Sequence, residues 1–140
     1  FQAGLSWLIV LKKRDSLNNA FRNFDVDQVA NFNQNDISRL REDTSIIRNK
    51  LKIEATIYNA RTIISFRNSH GGFKNWLKDN HPRSKEDWCK IFKKNFKFTG
   101  GEIVGEFLMS IGYLSGAHQQ TCPIYPIIEM LEPIWLKDKY

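Results

Sequence analysis

Apolar positions recur along this chain at helical intervals, separated by short polar or glycine-containing breaks. The longest signal lies between Arg48 and Asn68. There Ile53, Ile57, Ala60 and Ile64 fall at intervals of four, three and four, marking one face of a helix, and Gly71 and Gly72 supply a C-terminal stop. Ahead of it, residues 2–12 predict a helix ending in Lys12-Lys13-Arg14. Ser16 and Asp25 are candidate N-caps for helices over 17–24 and 26–32, and Asn35 for another through Ile37 and Leu40. After Pro82, Ser84-Lys85-Glu86-Asp87 has the form of a capping box with Asp87 in the usual Glu or Gln position. It opens a helix carrying Trp88, Ile91 and Phe92. A tight connection over 95–101 then leads to a helix predicted to bury Ile103, Phe107, Ile111 and Leu114. No segment alternates with period two between hairpin turns, so the predicted fold is all-α.

The chain has 140 residues and no internal repeat or Gly/Ser-rich linker, which fits a single core needing no metal or disulfide staple. A hydrophobic share of 41% and an aromatic share of 13% exclude a disordered chain. Lys and Arg number 21 against 15 Asp and Glu, a net charge of +6 that suits a polyanionic partner or simply a solvated basic face. Two cysteines, Cys89 and Cys122, are too few for a secreted disulfide framework and favour a reducing compartment, taken as the cytoplasm. The uncharged run 107–128 contains His118, Gln119, Gln120, Pro123 and Pro126, which are costly in lipid, so no membrane role is expected. The chain opens at Phe1, inside an apolar run and without an initiator Met, and reads as a fragment whose N-terminal part is missing.

Two features carry candidate chemistry. Residues 84–114 read as two helices joined by a glycine-containing hairpin, an arrangement whose free backbone N–H groups suit a phosphate. Gly100 and Gly101 permit close approach, and Lys93, Lys94 and Lys97 add long-range attraction. An ordinary helical hairpin with solvated lysines fits the same residues, and Glu102 in the first turn weighs against an anion. His118 and Cys122, at i and i+4, share one side if their segment is helical. Both are zinc-ligand types, yet a structural zinc takes four ligands and no second pair stands adjacent, so spacing alone favours a surface histidine beside a buried thiol.

The opening run Phe1-Gln2-Ala3-Gly4-Leu5-Ser6-Trp7, followed by Val10-Leu11-Lys12-Lys13-Arg14, closely resembles the 3-methyladenine DNA glycosylase I family. The resemblance continues, in order, at Phe24-Asp25, Ile46-Ile47-Arg48-Asn49-Lys50, Lys52-Ile53, Asn59-Ala60-Arg61, Phe96-Lys97-Phe98-Thr99-Gly100, and from Gly112 through His118 to Cys122. It implies a helical bundle containing a helix-hairpin-helix DNA-binding unit, with a glycosylase-like domain over 1–125 lacking its N-terminal segment and a C-terminal tail over 126–140. The implied activity is monofunctional base-excision repair, hydrolysis of the N-glycosidic bond of 3-methyladenine in alkylated double-stranded DNA, by a protein taken as a monomer. A non-catalytic helix-hairpin-helix DNA-binding module is the alternative.

By the same resemblance, Trp7 lines the base pocket, and Leu5 enters the gap left in the duplex with Gln2 and Gly4 beside it. Lys97, Thr99, Gly100 and Gly101 belong to the DNA-binding hairpin. His118 and Cys122 supply two of the four ligands of a structural zinc. The other two ligands and the expected catalytic Glu would precede Phe1.

Overall fold

The structure, a computed structural model, describes residues 1–137. Among them lie ten α-helical segments and one 3₁₀ turn, with no strand, so the all-α expectation holds. The first helix, α1 (Trp7–Lys12), begins later than the sequence pattern predicts. Gly4 takes φ +71°, a left-handed conformation open to glycine, and residues 2–5 close into a turn through a hydrogen bond from the Leu5 N–H to the Gln2 carbonyl. Ser6 then caps α1, its hydroxyl accepting from the Ile9 N–H at 3.4 Å.

The next predicted helix is also displaced. α2 (Arg14–Ala20) contains Ser16 instead of starting after it, and Arg22, Asn23 and Phe24 turn through positive φ instead of extending the helix. That reversal stacks Phe24 on the fully buried Phe21, with ring centroids 5.3 Å apart. Asp25 does cap α3 (Val26–Ala30), accepting from the Gln28 N–H at 2.9 Å. α4 (Gln34–Glu42) is capped by Asn33, not Asn35: Asn33 and Asp36 form the reciprocal capping box, two residues ahead of the expected start.

The long central helix, α5 (Lys50–His70), is capped by Asn49 and stopped by Gly71 at φ +73°. Ile53, Ile57 and Ala60 are buried as their spacing predicts, and Ile64 packs at the margin. α6 (Phe73–Asn80) lies outside the helices predicted above, although Phe73, Trp76 and Leu77 stand at i, i+3 and i+4. α7 (Lys85–Asn95) starts at the Ser84 cap, whose hydroxyl accepts from the Asp87 N–H at 3.2 Å. α8 (Gly101–Ser110) buries Val104 and Leu108, not the predicted Ile103, Phe107, Ile111 and Leu114 face. Ile103 and Phe107 are half-buried along the margin of a cleft, Ile111 is exposed, and α8 has ended before Leu114. Beyond a long turn lie α9 (Tyr125–Met130) and α10 (Ile134–Lys137). The latter returns to the body through a hydrogen bond from the Trp135 N–H to the Gly112 carbonyl.

Two apolar clusters result. One gathers Leu17, Phe21, Val29, Leu40, Ile53 and Ile57; the other gathers Phe66, Trp76, Trp88, Phe92, Val104 and Leu108. α5 contributes to both, and a helix of 21 residues spans about 31 Å, enough to join them. Arg67 forks onto Asp27 with contacts of 2.5 and 2.8 Å, tying the far half of α5 to α3. These bonds hold the Asp27 carboxyl below its ordinary value. Leu108→Ala, at a fully buried site, is expected to cost about 2–5 kcal/mol in urea unfolding. Ile103→Ala is expected to cost clearly less, and the opposite ranking would return the buried face to the one the spacing predicts.

Candidate functional site

The turn at 2–5 and the hairpin between α7 and α8 are almost a hundred residues apart in sequence and meet in space. Gln2, Gly4, Leu5 and Trp7 share an open cleft of about 840 Å³ with Gly100, Gly101 and Phe107. Trp7 is 64% exposed, so its indole face is available to a ligand instead of being spent in the core. A smaller adjoining cleft, also lined by Gln2, contains Lys97 and Thr99. The structure therefore brings every candidate base-pocket and DNA-binding residue onto two neighbouring clefts.

Local geometry shapes each wall. The Gln2 side-chain amide donates to the Leu5 carbonyl at 3.0 Å, bracing the turn that projects Leu5. The side-chain oxygen, Oε1, is buried without a hydrogen-bond partner among the described residues. On the hairpin, Phe96 is buried in the second core, while Phe98 is exposed at φ +57°, a left-handed conformation that a Phe adopts only under constraint. The Lys97 ammonium lies over the Tyr58 ring, 4.3 Å from its centroid.

Residues not singled out as site residues in the sequence join these walls from α5. The Lys52 ammonium donates to the Phe1 carbonyl at 2.9 Å and to the Ala3 carbonyl. Lys52 is only 8% exposed, and burial lowers its pKa from the ordinary lysine value. The Asn59 amide pairs with the backbone of Lys97 in both directions, donating to its carbonyl at 3.0 Å and accepting from its N–H at 2.8 Å. The partners of both side chains are backbone atoms, and the i, i+7 spacing that puts both on one side of α5 does not set them apart from its other polar residues. Glu102 and Glu106 line the larger cleft as exposed carboxylates, with Lys85 3.8 Å from Glu102.

His118 and Cys122 lie apart from these clefts, in a turn and not on the helix that i, i+4 spacing suggests; the Cys122 N–H donates to the Gln119 carbonyl. The turn nevertheless brings His118 Nδ1 to 3.7 Å from Cys122 Sγ. Zinc–nitrogen and zinc–sulfur bonds of ordinary length set the edge of a tetrahedron at about 3.6 Å, so the pair fits two corners of a zinc site. Among the described residues no group of three or more His, Cys, Asp or Glu side chains is placed to hold a metal.

The fold matches solved structures of 3-methyladenine DNA glycosylase I. One aligns with a TM-score of 0.75 at 32% identity, covering 89% of this chain and 79% of its own. A Staphylococcus aureus 3-methyladenine DNA glycosylase I structure that describes the basis of 3-methyladenine recognition aligns with a TM-score of 0.74 at 30% identity, covering 87% of this chain and 74% of its own. These similarities define the class as a helical glycosylase fold. DNA-3-methyladenine glycosylase 1 of Escherichia coli (strain K12) is 35% identical across 89% of this chain and 76% of the relative. The Haemophilus influenzae enzyme is 30% identical across 87% and 76%. The methyladenine glycosylase family model matches residues 1–90, and the chain belongs to that family.

Proposed function

We propose that this protein removes 3-methyladenine from alkylated duplex DNA by hydrolysing its N-glycosidic bond, as a monomer and in the cytoplasm. The observation that carries this reading is the cleft in which Trp7 and Leu5 stand opposite the glycine hairpin. Methylation at N3 makes adenine cationic, so the base is already a good leaving group. Water adds to the sugar C1′ and releases a proton, the C1′–N9 bond breaks, and its electron pair neutralises the departing base. An abasic site remains.

Such a substrate needs extrusion and electron-rich surroundings more than strong acid catalysis. Trp7 favours the cationic base through a cation–π contact worth on the order of 1–2 kcal/mol when desolvated. Leu5 fills the vacated position in the stack and offsets part of the unstacking cost of a few kcal/mol. Gly100 and Gly101 let phosphates approach the start of α8, with Thr99 beside them and Lys97 supplying charge. Glu102 and Glu106 further favour a cation over a neutral base in the same cleft. No helix among the described residues is long and apolar enough to cross a membrane.

Chromatography of bases released from methylated duplex DNA by the protein expressed from its native start tests the reading. Free 3-methyladenine without 7-methylguanine is expected, and Trp7→Ala is expected to slow release by about tenfold or more while leaving affinity for intact duplex unchanged. A protein that binds duplex DNA and releases no base would instead be a non-catalytic binding module.

His118 and Cys122 are further proposed to supply two ligands of a structural zinc, on the strength of their 3.7 Å approach. In competition with a chromophoric zinc indicator, His118→Ala and Cys122→Ala are each expected to weaken zinc binding by more than about tenfold. Equal competition by all three proteins would remove the pair from any metal site.

A further inference from the structure

Lys52 and Asn59 lie at i and i+7 on α5, within about 20° of one face, with Ala55 and Thr56 between them as the floor of the smaller cleft. Each reaches a different wall. Lys52 Nζ holds the carbonyls of Phe1 and Ala3, and the Asn59 amide holds both backbone groups of Lys97. Neither residue lines the larger cleft that Trp7 shares with Gly100 and Gly101, and Asn59 borders a second cleft, of about 590 Å³, that Trp7 shares with Phe24 and Thr56.

Aromatic contacts seat one end of each wall, Phe1 on Phe21 and Phe96 on Phe66 of α5. The hydrogen bonds between Gln2 and Leu5 are internal to the turn and fix its shape without fixing its place. On the hairpin, the Thr99 hydroxyl bonds back to the Phe96 carbonyl, again within the segment. Beyond those anchors, Lys52 and Asn59 hydrogen-bond the backbone of both segments to one rigid element, α5. Bonds from a charged donor in a desolvated site are strong, and an unpaired ammonium there would be costly, so the Lys52 seat is well defined.

We propose that Lys52 and Asn59 are positioning residues that set the spacing between the turn at 2–5 and the hairpin at 96–101. Leu5 then enters the duplex at a fixed offset from the phosphates gripped by the hairpin. The inference rests on the DNA glycosylase reading and adds to it the element that holds the two contacts in register. It predicts that losing either cross-link weakens recognition of a gap in the stack more than general binding to duplex.

The test compares the affinity of the chain for a duplex with a central tetrahydrofuran abasic analogue and for the same intact duplex, with thermal melts to establish folding. Lys52→Met keeps the stem and removes the donors. It is expected to lower the preference for the abasic duplex by about tenfold or more, with intact-duplex affinity changed by no more than about twofold. Lys52→Arg, which retains charge and donors, is expected to restore most of the preference. Asn59→Ala is expected to lower the same preference, and the double variant to lose less than the product of the single losses, because both residues act on one spacing.

Folded Lys52→Met or Asn59→Ala protein with wild-type preference overturns the proposal, as does a wild-type chain without preference. If Lys52→Met does not fold, Asn59→Ala and Lys52→Arg decide between the same outcomes. A chain that prefers the abasic duplex, when the protein expressed from its native start releases no 3-methyladenine, overturns the glycosylase reading alone and leaves the positioning role standing.

Discussion

An ammonium group stripped of water must find oxygen acceptors close at hand, and Lys52 finds them in the carbonyls of Phe1 and Ala3. That requirement places the opening turn. The apolar anchorage of this segment is at Phe1, whose ring packs edge-on against Phe21 at 5.3 Å; Gly4 and Ser6 are exposed, and Leu5 is only half-buried. Fixing two of its carbonyls to a helix locked between two cores sets this segment as one wall of a cleft. The rigidity comes from α5, whose Ile53 and Ile57 are buried in the first cluster and whose Phe66 is buried in the second. A packed interior resists displacement, so whatever α5 carries on its remaining face inherits a defined position.

The same economy appears at the hairpin. Phe96 is inserted among Phe66, Trp76 and Phe92, with ring centroids 5.3–5.9 Å away, and it pins the point where α7 ends. Phe98, two residues on, is held in a left-handed conformation at the exposed side. Strain of that kind persists where neighbouring contacts over-determine the backbone, and here Asn59 fixes both polar groups of the preceding residue. Rigid support therefore lies beneath both segments to which the proposed function assigns contact with DNA. Exposed aromatic surface and basic charge lie above them.

Much of the fold was legible because it follows from period and capping. The spacing of Ile53, Ile57 and Ala60 marks α5, Gly71 marks its end, and Ser84 and Asp25 mark two helix starts. The misses have local causes. Residues 2–6 look helical by hydrophobicity, but the Gly4 turn closes first; Ser16 resembles a cap, but α2 has already begun at Arg14. On α8 the large apolar residues suggested the buried face. Yet the cleft leaves Ile103 and Phe107 at its margin, and the smaller Val104 turns inward with Leu108. The site candidates were legible through family resemblance, since nothing in composition ties Gln2 to Gly100. Lys52 and Asn59 were not legible as a pair because their partners are backbone atoms, which carry no sequence signature.

The central claim is that the opening turn and the hairpin form one DNA-contacting face carried by α5. Hydrogen–deuterium exchange with and without an abasic-site duplex tests it most directly. The account predicts coincident protection of residues 1–7 and 96–103 on binding, with exchange in α2–α4 unchanged. Protection of the hairpin alone, with residues 1–7 exchanging as in the free protein, would contradict it.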